Sequence, residues 1–312
     1  MKNARRTASY LLFCVLSIGT CDVIAKEWGQ DRSIVQVSPS VYRWGSDGQY
    51  GAYVLTSDGI IVVDGHYCDS GTVQWLKSEM QERHGVPVKY VVLSHDHPDH
   101  VCNSQIFSDT AITIGHRNIR SHILREGRKS AVPDVTFEES MDIHLGGLKV
   151  TLLYFGPSHS DNLIQVHIPE EKVLVAIDIA KGRSIYPDYR DMDVHSELKV
   201  LKILANLEDV DVVLPGHGPV KTQQNFRDSH RFLQALRNEV LQLMIDGKTL
   251  DAIRDQITMA EFSDYQGISQ YLDANIVTMY DYLYRYREPN NRITADEAVI
   301  CQEDYRKCRT SN

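Results

Sequence analysis

The sequence predicts an α/β protein in which two β-sheets pack together between layers of helix, followed by a helical C-terminal region. Three observations carry this. Short apolar strands with tight turns open the chain after residue 32, strands and helices then alternate, and a second group of strands begins near residue 148. Sheets of this kind must bury their apolar faces, and interleaved helices are the covering that such a chain supplies.

The opening meander is read at 34–37, 41–44, 52–56 and 60–64, with Ser57-Asp58-Gly59 as the turn before the last strand. Residues 72–83 carry helical periodicity through Val73, Leu76 and Met80. Pro87 punctuates the next loop, and 88–93 is a mostly apolar strand. A short helix is expected from Asn103, then a strand at 111–114 and a helix at 117–125. Strands recur at 148–155, 163–168, 173–177 and 210–214, with a helix at 198–207 before the last. Beyond Pro219 the pattern is helical at 226–245, 250–257 and 268–287. No internal repeat or low-complexity linker interrupts it, and the expected division is a sheet-containing domain at 26–245 with a helical extension at 246–312.

A chain of 312 residues suits one large domain, or one domain with an appendage. Its 42% apolar and 24% charged content excludes an extended disordered tract. Residues 1–25 differ: Lys2, Arg5 and Arg6 form a basic start, 10–18 is apolar, and Val23-Ile24-Ala25 satisfies the small-residue cleavage rule. The apolar run is too short to span a bilayer, so the segment reads as a removable signal peptide. Export follows, with the bacterial periplasm as the expected compartment and no stable membrane insertion afterwards. A second reading attaches lipid at Cys21 within Ile18-Gly19-Thr20-Cys21, where Thr20 is a poor match.

The formal net charge is −9. Losing the leader makes the chain more acidic still, because three cations leave with only Asp22. Acidic proteins are poor partners for nucleic acid or anionic membrane, so the expected partner is a small-molecule substrate. Oligomeric state is not readable. Outside the leader the cysteines are Cys68, Cys102, Cys301 and Cys308, an even number that permits disulfides in an exported protein. Cys301 and Cys308 enclose a short loop and are the first candidate pair; Cys68 and Cys102 can meet near the candidate site. Buried free thiols are the alternative for both pairs.

The densest chemistry lies in Ser94-His95-Asp96-His97-Pro98-Asp99-His100, directly behind an apolar run. Neutral imidazoles and carboxylates are zinc-type ligands, and four of them this close exceed what folding asks for. Three more candidates lie downstream: His159 within 156–162, Asp178 closing the apolar run 173–177, and His217 in Pro215-Gly216-His217-Gly218. All seven follow strand ends, where sheet proteins gather site residues. Glycines beside His159 and His217 let backbone approach a compact centre.

Taken in order, these motifs resemble the metal-binding signature of the metallo-β-lactamase superfamily. The matching parts are His-x-His-x-Asp-His at 95–100, the distant His159, the strand-end Asp178 and the Pro-Gly-His-Gly around His217. Asp64 in Val62-Val63-Asp64-Gly65 also matches the family's early strand-end aspartate, and the likeness runs over 33–237. The resemblance implies a four-layer αββα sandwich with a binuclear centre. His95, His97 and His159 would hold one metal, Asp99, His100 and His217 the other, with Asp178 bridging. Two Zn²⁺ ions are implied first, with manganese or iron as substitutes. Two metals ~3.5–4 Å apart acidify a water toward a pKa of about 7, and the resulting hydroxide attacks an electrophile. Asp99 is then ligand and proton handler, the expected catalytic residue. Asp64 is expected either to support a ligating histidine or to serve turn chemistry.

Asp178 divides the family. Zinc β-lactamases usually carry Cys or Ser there, whereas a bridging Asp is similar to the glyoxalase II, lactonase, sulfatase and thioesterase branches. Export argues against a glutathione thioester. The implied activity is therefore exported hydrolysis of an ester, thioester, lactone or related bond. Two alternatives stay open: a β-lactamase using Asp178 in place of the usual ligand, and a non-catalytic metal-binding accessory protein. Tyr271, Tyr280, Tyr282, Tyr284 and Tyr286 crowd the last helix, where packing is expected and an aromatic wall over the metal groove is the alternative. Tyr186-Pro187-Asp188 is expected in a loop near the site, or as an ordinary turn. His66 has two readings, pocket lining or packing, while His116 and the remaining histidines read as structural or surface residues.

Overall fold

Short apolar runs build the first sheet, whose two faces are both buried. The computed structural model describes residues 29–286. In it β1 (Ser33–Gln36), β2 (Val41–Ser46), β3 (Gln49–Thr56) and β4 (Gly59–Val63) pair antiparallel in sequence order. From β4 onward the strands β5 (Val88–Val92), β6 (Ile112–His116) and β7 (Val135–Phe137) add in parallel, completing a seven-stranded sheet. Parallel neighbours need crossovers. These are α1 (Thr72–His84), then the short α2 (Pro98–Val101) with a 3₁₀ turn at Ser104–Phe107, then α3 (Ile119–Glu126).

The second sheet has five strands in the order β12-β11-β10-β9-β8: β8 (Ser140–Leu145), β9 (Leu148–Leu153), β10 (Gln165–Ile168), β11 (Val173–Val175) and β12 (Val212–Leu214). Only β11 and β12 run parallel, and α4 (Val194–Leu204) makes that crossover. The helices α5 (Gln224–Ile245), α6 (Leu250–Gln256) and α7 (Ile268–Tyr286) follow.

Three buried apolar layers define the sandwich. Between the sheets, Val54, Ile61 and Val92 meet Leu152, Val166 and Val175. Outside the first sheet, Trp44 and Val62 pack with Leu76, Met80 and Ile119. Outside the second, Leu174 and Val213 pack with Leu201, Phe226, Leu236 and Met279. The order is helix, sheet, sheet, helix, as the resemblance implied. Ile253, Ile276, Met279 and Leu283 join the same core as α4 and α5, so 246–286 is part of the outer helical layer. Leu152 is fully buried between the sheets. Leu152→Ala is expected to cost about 2–5 kcal/mol, read as a lower urea midpoint.

The sequence reading missed β7 and β8. Both are edge strands; β7 spans only three residues, and β8 alternates polar and apolar side chains through Met141, Ile143 and Leu145 but buries only Ile143. Helix α4 begins earlier than expected because Asp193 caps it, its carboxylate accepting the Ser196 N–H at 2.9 Å. The second half of the His-rich segment is a helical turn rather than loop, started by Pro98 in its first turn. The expected leader, the Cys21 lipidation site and the Cys301/Cys308 pair lie outside the described residues. Among the described residues no helix is long and apolar enough to cross a membrane.

Candidate metal centre

Strand ends assemble the site. His95 and His97 lie on the extended segment after β5, while Asp99 and His100 project from α2. The change from extended to helical backbone at Pro98 lets one heptapeptide serve two donor sets. His159 arrives from the loop after β9, Asp178 from the end of β11 and His217 from the end of β12. The structure brings all seven together. His95, His97, His159 and Asp178 form one group with donor atoms within 4.8 Å of one another, and Asp99, His100, Asp178 and His217 form a second.

Asp178 belongs to both groups. Its Oδ2 lies 3.2 Å from His100 Nε2, 3.5 Å from His159 Nε2 and 3.8 Å from His95 Nε2, while Oδ1 lies 3.4 Å from His217 Nε2. Asp99 Oδ2 stands 3.4 Å from His100 Nε2 and 3.3 Å from His217 Nε2. Asp178 sits at φ 55°, a left-handed conformation that non-glycine residues seldom adopt and that clusters at functional sites. Gly216 shows why the loop before His217 must lack a side chain: a Cβ there would stand 2.5 Å from His100 Cε1 and 3.0 Å from Asp178 Oδ1.

Asp64 supports the first histidine. Its carboxylate accepts the Ser94 N–H and the Ser94 hydroxyl, both at 2.7 Å. The hydroxyl hydrogen being committed to Asp64, Ser94 Oγ accepts from His95 Nδ1 at 2.9 Å, which leaves His95 Nε2 bare and facing the centre. Asp64 Oδ2 also lies 3.7 Å from His100 Nδ1. Gln49 escaped the sequence reading. It is fully buried, and its Nε2 lies 2.7 Å from both the Asp99 carbonyl, to which it donates, and His100 Nδ1. Its backbone bridges to His217, and no local pattern marks a glutamine at a strand start for that role.

Cys68 and Cys102 form a disulfide with Cα atoms 4.8 Å apart. It joins the loop after β4 to the loop after α2, whose backbones are also linked by Gly65 N–H to His100 O and His66 N–H to Cys102 O. His66 is not a pocket-lining residue. It is buried, with Nδ1 3.0 Å from Ser70 Oγ and Nε2 3.3 Å from the Gln49 carbonyl. His116 is structural, stacked on Tyr154. On α7, Tyr282 donates to Asp193 and Tyr284 faces solvent, in keeping with packing rather than a wall over the site. The aromatic ring against the centre is Tyr186, stacked on His159 with centroids 5.2 Å apart.

Burial opposes charge throughout the cluster. It pushes the His159 imidazolium down to about 3 and His95 well below the usual range. Burial also works against His100, but the carboxylates of Asp178 and Asp99 outweigh it and raise this residue to about 9. Asp178 stays ionised against its own burial because His100 and Lys181 face it, the lysine Nζ lying 4.0 Å from Oδ1. The donor atoms themselves show what fits. His95 Nε2 and Asp178 Oδ1 are buried without a hydrogen-bond partner, an arrangement that costs about 1–3 kcal/mol per atom. His97 Nδ1 and His159 Nε2 face each other at 3.1 Å. Bare imidazole nitrogens and carboxylate oxygens converging on one point match the coordination needs of divalent cations. Beside His97 a cleft of about 350 Å³ opens, lined by Asp96, His122, Arg125, Arg128 and Asp161, a size that admits a small molecule.

Comparison with known proteins agrees with this geometry. The family model described as the metallo-beta-lactamase superfamily matches residues 46–217, from the end of β2 to the last of the seven residues. The chain is 23% identical over 242 residues to the 2,4-dinitroanisole O-demethylase subunit alpha of Nocardioides sp., covering 76% of this chain and 70% of that one. It is 25% identical over 203 residues to a metallo-beta-lactamase type 2 of Bacteroides fragilis, covering 60% and 80%. A linear primary-alkylsulfatase of Pseudomonas sp. is 21% identical over 259 residues, covering 65% of this chain and 48% of the relative. Among solved structures, a metallo-beta-lactamase from Pontibacter korlensis superposes with a TM-score of 0.59 at 19% identity, covering 65% of this chain and 99% of that one. Fold, clustered donors and matched segment converge: the chain belongs to the metallo-beta-lactamase superfamily of metal-dependent hydrolases.

Proposed function

We propose that the chain is an exported hydrolase that works with two divalent metal ions, zinc first among them, and cleaves an ester, thioester, lactone or related bond. The observation that carries this is Asp178, a carboxylate common to both donor groups, with Oδ2 near His159 of the first and Oδ1 near His217 of the second. His95, His97 and His159 would hold one ion, Asp99, His100 and His217 the other, with Asp178 between them. When bound, the two ions supply Lewis acidity toward a carbonyl-type oxygen and acidify a water.

The chain's own residues do the rest. Asp99, whose side chain is 26% exposed against 6% for Asp178, is the more accessible carboxylate of the centre and takes up the proton of the attacking water at its carboxylate oxygen. Lys181, 20% exposed beside Asp178, offers a cation to a negatively charged part of the substrate. The matched relatives are named for β-lactam, alkyl sulfate and dinitroanisole chemistry, so family membership leaves the bond type open. Aspartate at 178 is what favours the acyl branch. The Cys68–Cys102 bond supports export, since disulfides persist in oxidising compartments.

The test is hydrolysis by zinc-loaded mature protein, with a chelated sample beside it, on nitrophenyl esters, acyl thioesters, lactones and a chromogenic cephalosporin. Turnover of an acyl substrate that chelation abolishes and zinc restores is the expected result. Rapid cephalosporin turnover would transfer the assignment to the β-lactamase reading. Metal-loaded protein inert on every substrate would favour an accessory metal-binding role. The mass of the N-terminus of protein recovered from the periplasm checks cleavage after Ala25.

A further inference from the structure

Behind the metal centre, α4 carries a carboxylic side chain into the apolar layer. Glu197 is 1% exposed, packed in the helix face that also buries Leu198 and Leu201, and its Oε2 has no hydrogen-bond partner. An apolar residue of similar volume would fill such a place at lower cost, because an imperfectly paired buried polar group is destabilising. The carboxyl makes two contacts, and both lead to the site. Its Oε1 lies 3.2 Å from the Tyr186 phenolic oxygen, and the backbone of His159 hydrogen-bonds to it. Tyr186 in turn donates its hydroxyl to the Asp178 backbone carbonyl and stacks its ring on the His159 imidazole, 19° from parallel. From the other side, Asn275 of α7 donates to the Tyr186 carbonyl at 2.8 Å. The pair therefore touches the backbone of Asp178 and both the backbone and the ring of His159.

A phenol has one hydrogen to give, and the Asp178 carbonyl takes it. The Tyr186 oxygen also lies 3.2 Å from Glu197 Oε1, so the phenol stands between the Asp178 carbonyl and the Glu197 carboxyl. The result is a hydrogen-bond relay from α4 through Tyr186 to the strand end that holds Asp178 in its left-handed conformation.

We propose that Tyr186 and Glu197 are positioning residues of the metal centre, setting Asp178 and His159 so that one carboxylate serves both donor groups. This rests on the metal-centre reading above. The experiment uses the mature chain loaded with cobalt(II), with visible absorption, metal affinity by chelator competition and melting temperature measured for Y186F, E197Q and E197L.

Y186F keeps the ring but loses the hydroxyl. It is expected to fold, to bind cobalt about 10-fold more weakly or worse, and to shift the absorption bands. E197L is expected to do the same, while E197Q, whose amide still reaches the Tyr186 phenolic oxygen, keeps wild-type affinity and spectrum. Folded Y186F with wild-type affinity and spectrum would overturn the proposal, as would E197Q losing as much as E197L. Should E197L fail to fold, Y186F decides. A wild-type chain that takes up no cobalt overturns the function proposed above together with this inference, whereas normal uptake with unaffected variants overturns this inference alone.

Discussion

Asp178→Asn is expected to lower the bound metal from two ions per chain to one or none, and to reduce kcat/KM on an acyl substrate by on the order of 10³-fold, about 4 kcal/mol. No other residue among those described contributes to both donor groups, so its loss strikes both at once. Asparagine is the informative replacement. Like aspartate it tolerates the positive φ of 55° at this position, so the backbone is not asked to change, and only charge and one oxygen donor are removed. Alanine would confound ligand loss with a conformational penalty. Metal content per chain by elemental analysis, alongside kcat/KM, separates the outcomes. Two tightly held ions and normal turnover in Asp178→Asn would show that the shared carboxylate is not the organising group.

Removing the Cys68–Cys102 bond with paired serine substitutions is expected to cost about 3–4 kcal/mol, from loop-closure entropy across a sequence separation of 34. The bond also acts locally. It joins the loop after β4 to the end of α2, where a Cβ on Gly65 would stand 2.1 Å from the Cys102 carbonyl, so the two backbones are in direct contact. Since α2 carries Asp99 and His100, loosening this junction is expected to weaken the second donor group more than the first. Urea melts with and without reductant report the stability loss. Graded chelation followed by metal analysis reports which ion leaves first. Unchanged melts, or equal loss of both ions, would remove the disulfide from any role in holding α2.

Much of this molecule was legible in the residues because the signals are local. The meander announces itself by short apolar runs broken by turn residues, the helices by apolar spacing through residues such as Val73, Leu76 and Met80, and the donors by their chemistry at the ends of strands. The edge strand β7 is only three residues long, and β8 alternates through Met141, Ile143 and Leu145, a signal that the sequence reading passed over.

The partners of the ligands were lost for a different reason. Gln49 reaches His100 across 51 positions, and Glu197 reaches Tyr186 from a separate helix. Such contacts leave no periodic trace in either segment. The sequence by itself determined which side chains can bind metal and that each stands at a strand end. Only the tertiary structure decided that Gln49 and Glu197 stand behind the ligands, that Cys68 meets Cys102, and that 246–286 closes the outer helical layer. Residue chemistry is a property of single positions, whereas sharing a ligand depends on how sheets and helices pack, and packing is set by the whole buried surface.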